Sequence, residues 1–192
     1  MSDAEPPKGR VLIIAGSDSG GGAGIQADLK TVTMLGGYAM TAITAITAQD
    51  TTGVHGVWPI AHDAVTQQMR ACLTDIGTDT IKTGMLGSAA LIDQIAETID
   101  AFARDVPRII DPVMIATSGD RLIDEKAVSA IASVLIPNAV LVTPNAPEAE
   151  VLTGKAVDGI NGQRRAAEAL LERGAKGALI KGGHIPGAVI QD

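Results

Sequence analysis

Cysteine, aromatic rings and surplus positive charge are what this chain has least of, and each shortage closes off a class of function. One residue of 192 is cysteine, Cys72, so no internal disulfide can form and a reducing compartment suits the chain. Met69, Leu73 and Ile76 share a helical face with Cys72, which reads it as a packing thiol rather than a nucleophile. Aromatics make up 2% of the residues (Tyr38, Trp58 and Phe102), leaving no platforms on which bases could stack. Fifteen Lys and Arg stand against 22 Asp and Glu, a formal charge of −7 without the basic surface that tracks a phosphate polymer. Nucleic acid is excluded as a partner on both counts. No run reaches the roughly 20 apolar residues of a membrane span. The start, with Asp3, Glu5, Pro6 and Pro7, lacks the basic end and long apolar stretch of a signal peptide. The reading is a cytoplasmic protein without membrane contact.

Against those shortages, 46% of the residues are apolar and 19% charged, a globular composition with a core built from Ala, Val, Ile and Leu. Residues 1–9 predict a flexible tail and 10–192 a single domain. Within it, apolar or Thr- and Ile-rich stretches at 10–15, 38–48, 80–83, 108–110, 139–142 and 178–181 predict strands. Helical spacing predicts helices over 23–35, 63–73, 88–104, 124–135, 147–152 and 162–173. Strands alternating with helices argue for an α/β fold, a mostly parallel central sheet with helices on both faces.

Polar and glycine residues collect where nearly every strand ends. These clusters are Gly16-Ser17-Asp18, Gln49-Asp50, Thr83-Gly84-Met85, Asp111-Pro112, Thr143-Pro144-Asn145 and Gly182-Gly183-His184. Open α/β sheets bind ligands just beyond the carboxyl ends of their strands, so the six clusters predict one functional rim.

The turn over residues 16–24 holds five glycines with an aspartate, more than a plain tight turn needs. No Gly-Lys-[Ser/Thr] closes it, which excludes a Walker P-loop. Gly22-x-Gly24-x-x-Ala27, with Asp50 further on, imitates a dinucleotide fingerprint, but six residues intervene between it and its strand. Asp18 reads either as a surface carboxylate or as a ligand contact. Asp111, directly after an apolar strand, reads as a functional charge or a cap. Asn145 and Glu148, three apart at a helix start, fit a capping box and equally a magnesium site completed by substrate phosphates. Lys181, ending a strand before two glycines, suits phosphate as a point charge, or is an edge lysine. His55, His62 and His184 show no metal-ligand spacing.

Taken together these stretches resemble the hydroxymethylpyrimidine/phosphomethylpyrimidine kinases of thiamine biosynthesis, in the ribokinase-like superfamily. The resemblance is carried by AGSDSGGGAGIQADLK at 15–30, TAITAQ at 44–49, KTGML at 82–86, DPVM at 111–114, TPNAPEAE at 143–150 and KGGH at 181–184. It implies a ribokinase-like three-layer α/β/α fold and ATP-dependent, Mg²⁺-assisted phosphorylation of 4-amino-5-hydroxymethyl-2-methylpyrimidine, then of its monophosphate. By the same resemblance Gly16, Asp18, Gln49, Met85 and Val113 bind the substrate, Gln49 through its amide. Asn145, Glu148 and Lys181 serve ATP, Glu148 and Asp111 the metal, and Lys181 with Asp111 the catalysis. A homodimer is implied as well.

The resemblance also implies a downstream Gly-Thr-Gly-Cys segment that supplies an anion hole and a general base. Residues 1–192 contain none, and Cys72 has the wrong context. The apolar run at 188–190 looks like the start of a strand. The expectation is therefore a domain incomplete at its C-terminus, truncated before that segment and with negligible activity by itself. Three other readings stay open: a pyridoxine or pyridoxal kinase of the same superfamily, an NAD-dependent oxidoreductase, and a non-catalytic pyrimidine-binding protein.

Overall fold

In the computed structural model, residues 7–114, 123–185 and 189–192 are described. Parallel strands covered on both faces need side chains at ease with burial on either side. Strand β1 (Arg10–Ala15) supplies them, with Leu12, Ile13 and Ile14 all fully buried. Strands β2 (Tyr38–Ile43), β5 (Thr80–Thr83), β6 (Arg108–Ile110) and β7 (Leu141–Val142) join it in a five-stranded parallel sheet of order β2-β1-β5-β6-β7. The register sets Ala15 beside Ile43, Ile14 beside Thr83, Thr83 beside Ile110 and Ile110 beside Val142. All the carboxyl ends therefore finish along one edge.

The strand order reverses after β2, because β1 has β2 on one side and β5 on the other. Helix α1 (Gly24–Met34) packs Ile25, Leu29 and Val32 against Ile13 and Ala15 on one face. On the opposite face Leu12, Ile14, Met40 and Ala42 meet Val65 and Met69 of α2 (His62–Ala71), with α3 (Ala89–Phe102) beside them. Right-handed crossovers running in opposite directions from β1 require this split. It opens a crevice between the ends of β1 and β5. Helices α4 (Glu125–Ala130), α5 (Ala146–Thr153) and α6 (Ile160–Glu172) follow in the second half of the chain. Cys72 is half-buried against the core, and burial pushes its thiol up, as a packing thiol should be.

Three expectations need correction. The single strand predicted over 38–48 is two, because the chain turns at Thr44. The Thr44 N–H donates to Ala15 O (3.0 Å), its carbonyl accepts from the Ile60 N–H (2.9 Å), and its hydroxyl donates to Met85 O (2.6 Å). Strand β3 (Ala45–Gln49) then leaves the main sheet and pairs antiparallel with β4 (Val54–Pro59), a strand absent from the sequence reading. In β4, Gly56 and Pro59 interrupt the strand-favouring Val54, Val57 and Trp58, and the pairing with β3 completes the strand.

The strand predicted at 178–181 is reduced to isolated bridges, Val142 with Ala178 and Asn145 with Lys181. Between them Pro144 has no N–H to continue the ladder. The C-terminal run forms no strand over its described residues Val189–Asp192. Gln191 O instead accepts from Gln163 Nε2 (2.7 Å), and the Asp192 carboxylate accepts from the Gly182 N–H (2.8 Å). Of the tail, residues 1–6 lie outside the described residues, while Lys8 and Gly9 are tied to the turn after α1. The Lys8 N–H donates to Gly36 O and the Tyr38 N–H to Gly9 O. Among the described residues, no helix is long and apolar enough to cross a membrane.

Candidate active site

The glycine turn between β1 and α1 is built around Asp18. Its carboxylate accepts from three backbone amides: Gly20 (2.8 Å), Gly22 (2.9 Å) and Ala23 (2.7 Å). The residue is 4% exposed, so these bonds take the place of its water. The Asp18 N–H donates in turn to Gln26 Oε1 (2.7 Å), and Lys30 Nζ reaches back from α1 to Gly21 O (2.7 Å). The turn is thus latched onto its own helix. Asp18, read from the sequence as a surface carboxylate or a ligand contact, is the hub that shapes the turn.

Close approach marks two of the glycines. A Cβ on Gly16 would meet the Met85 methyl, the movable end of a flexible side chain, so a substitution there would displace Met85 in the cavity wall rather than the backbone. Gly24, at φ +54°, would set a Cβ 2.5 Å from Gly16 O, the carbonyl that accepts from the Ile25 N–H and starts α1.

Strand β3 forms the facing wall and is stitched to the turn. The Thr47 N–H donates to Ser17 Oγ (3.1 Å), and the Thr47 hydroxyl to Ser17 O (2.8 Å). Ser19 Oγ both donates to Gln49 O (2.7 Å) and accepts from the Gln49 N–H (2.8 Å). With the Gln49 backbone so held, its side chain stands over the crevice. The β3–β4 hairpin turn overhangs it, anchored by Asp50. The Thr52 hydroxyl and N–H, then the His55 ring, hold the Asp50 carboxyl well below the usual carboxylate range. Asp50 therefore anchors a turn between antiparallel strands, whereas a dinucleotide fold needs its acidic residue at the end of a parallel strand.

Between these walls lies a cavity of about 730 Å³, a volume suited to a small molecule. Gly16, Asp18, Gln49, Met85, Asp111 and Val113 all line it, which brings together four of the six clusters read from the sequence. Asn145, Glu148 and Lys181 do not line it. They stand beyond Asp111, to which Lys181 Nζ is ion-paired at 2.9 Å. Asn145 and Glu148 form a full capping box on α5 (2.9 and 2.8 Å), and Glu148 Oε1 also accepts from the Met114 N–H at 3.3 Å. The Glu148 residue is 2% exposed, and burial above all pushes its carboxyl up. Glu148 thereby fastens the segment that follows β6 to the start of α5.

Sequence reasoning missed two lining residues, Asp28 of α1 and Lys82 of β5. Lys82 Nζ lies 2.7 Å from Asp28 Oδ2 and 3.8 Å from Asp111 Oδ2. Charges alternate along the cavity floor from Asp28 through Lys82 to Asp111, and the alternation continues to Lys181 beyond the floor. The available signal was a lysine inside the short strand Thr80–Thr83. A central parallel strand keeps a charge only where a partner meets it.

The family model described as phosphomethylpyrimidine kinase matches residues 18–192. The chain belongs to the phosphomethylpyrimidine kinase family. It is 48% identical over 177 residues to the hydroxymethylpyrimidine/phosphomethylpyrimidine kinase of Bacillus subtilis, a match covering 92% of this chain and 65% of that one. Among solved structures, the phosphomethylpyrimidine kinase of Clostridium difficile 630 superposes with a TM-score of 0.85 at 40% identity, covering 95% of this chain and 82% of that one. The pyridoxal kinase of Staphylococcus aureus, solved in complex with AMP-PCP and pyridoxal, gives 0.80 at 39%, covering 91% and 62%. The fold of this phosphomethylpyrimidine kinase family member is accordingly ribokinase-like, with its crevice at the reversal of strand order. The chain spans about two thirds of the length of its Bacillus relative.

Proposed function

We propose that this chain binds 4-amino-5-hydroxymethyl-2-methylpyrimidine in the cavity and presents the hydroxymethyl group for phosphorylation by ATP, then presents the monophosphate for a second transfer. The observation that carries the reading is the cavity itself. Gln49, Met85, Val113 and Gly16 converge on it at the switch point of the sheet, in a chain of the phosphomethylpyrimidine kinase family. An aminopyrimidine edge offers a donor beside an acceptor, and the Gln49 amide matches both. Met85 and Val113 supply apolar surface for the ring faces. Asp18 acts by holding the turn in the shape that admits the ring.

Phosphoryl transfer requires positioning and neutralisation of charge more than covalent chemistry. Asp111 and Lys181 lie where the donor phosphates approach, with Lys181 the point charge for them and Asn145 at the same end. The donor set here fits magnesium brought by the nucleotide. Among the described residues no group of three or more acidic, His or Cys side chains could hold an ion alone, whereas Asp111 and Glu148 can face an ion already carried by phosphates. That ion, when bound, would neutralise the phosphate oxygens. The proton of the substrate hydroxyl is assigned to none of residues 1–192. ATP as the donor fits a cytoplasmic setting, and the homodimer implied by the resemblance belongs to the same proposal.

A second reading, pyridoxal phosphorylation, is favoured by the likeness to the Staphylococcus pyridoxal kinase. Isothermal titration separates the two. The pyrimidine alcohol should bind more tightly than pyridoxine, and Gln49→Leu should weaken it by roughly 10- to 100-fold, the worth of one to two well-aligned hydrogen bonds. Tighter binding of pyridoxine, unaffected by Gln49→Leu, would transfer the assignment to the second reading.

A further inference from the structure

Resting on that reading, we infer that Lys82 is the residue that lets the cavity accept the phosphorylated acceptor as well as the neutral one. Among the described residues lining the cavity Lys82 alone is cationic, while Asp28 and Asp111 flank it at 2.7 and 3.8 Å. Its side chain is about one-fifth exposed, and the ammonium passes over Gly84, where a Cβ would lie 3.4 Å from Nζ. The missing side chain at Gly84 leaves the charge open to the crevice. Alternation along β5 explains the direction: Ile81 enters the core on one face, so Lys82 must emerge on the other, toward α1.

The two acceptors of the proposed reaction sequence differ by one feature, a phosphate carrying about −1.5 to −2 charge at neutral pH. The alcohol needs no cation. The monophosphate must settle against a wall that already carries two carboxylates. With both lysines present, Asp28 and Asp111 are balanced by Lys82 and Lys181. Without Lys82 the wall keeps one uncompensated negative charge, on the acceptor side. An ammonium held by Asp28 at one oxygen keeps further donors for a phosphate oxygen, since Lys has three. Lys82 is thus a specificity-determining residue: close to indifferent for the alcohol and required for its monophosphate.

The test measures dissociation constants of the alcohol and of its monophosphate, without nucleotide, for the wild-type chain and for Lys82→Met, Lys82→Arg and Asp28→Asn. Lys82→Met should weaken the monophosphate by about 30-fold or more while moving the alcohol less than about 3-fold. Lys82→Arg should retain most of the monophosphate affinity. Asp28→Asn, which removes a negative charge, should shift preference toward the monophosphate. Equal weakening of both ligands by Lys82→Met, or an unchanged monophosphate, overturns the inference while leaving the proposed function in place. If Lys82→Met does not fold, Asp28→Asn decides, and a preference shifted toward the alcohol overturns the inference. A wild-type chain that binds neither ligand overturns the proposed function and this inference with it.

Discussion

Asp18→Ala should lower the stability of the chain by about 3–5 kcal/mol, with loss of pyrimidine binding. The reason is the number of groups that depend on one carboxylate. Three backbone amides, of Gly20, Gly22 and Ala23, donate to it at 2.7–2.9 Å, in a residue only 4% exposed. A hydrogen bond to a charged acceptor contributes roughly 1.5–3 kcal/mol, and water entering the vacated space recovers part of the loss. Five glycines between residues 16 and 24 make the freed turn costly to hold in one conformation. Urea unfolding would read the stability. Hydrogen exchange would read the turn, where the Gly20, Gly22 and Ala23 amides should lose protection while β1 keeps it. Asp18→Asn should fall between, because its one carbonyl oxygen cannot serve all three donors. Native protection at those amides in Asp18→Ala would mean that the carboxylate does not organise the turn.

Gly24→Val should reduce pyrimidine affinity by at least about 100-fold and depress the melting temperature, for two additive reasons. At φ +54° a β-branched residue is strained wherever it sits. At this position its Cβ would also meet Gly16 O at 2.5 Å and the Asp18 N at 3.2 Å. Relief requires Gly16 O to move, which breaks its bond to the Ile25 N–H and shifts the floor of the cavity. Gly87→Ala is the matching control. Gly87 has φ +86°, yet nothing lies within 4 Å of where its Cβ would be. It should cost about 1 kcal/mol of strain and leave affinity unchanged. If both variants bound ligand alike, the contact between Gly24 and Gly16 would have no role in shaping the cavity.

Much of the fold was legible because buried parallel strands carry short runs of Ile, Val, Leu and Thr that break the helical spacing around them. Residues 10–15, 80–83 and 108–110 read correctly as strands, and their shared carboxyl edge pointed to the cavity. The break at Thr44 was not legible. The stretch 38–48 has no glycine or proline, and the turn depends on partners as distant as Ile60 and Met85. Strand β4 was likewise obscured, because Gly56 and Pro59 interrupt its Val54, Val57 and Trp58 and its pairing with β3 is what completes it.

At the site, Gly16, Gln49, Met85 and Asp111 were legible from their positions after strands, while Val113 entered only through the family resemblance. The direction of Asp18 was not: read as a surface carboxylate or a ligand contact, it turns inward onto the amides of its own turn. The Lys82–Asp28 pair spans 54 residues of sequence, and no local pattern links its members. The capping box at Asn145 and Glu148 was readable in advance. That its carboxylate also reaches the Met114 N–H, 34 residues away, was not.

A crystal structure of the chain with 4-amino-5-hydroxymethyl-2-methylpyrimidine tests the central claim most directly. The account predicts the ring between Met85 and Val113, its amino group and adjacent ring nitrogen within hydrogen-bond distance of the Gln49 amide, and its hydroxymethyl group toward Asp28, Lys82 and Asp111. A ring bound outside this cavity, or bound within it with Gln49 making no contact, would contradict the account.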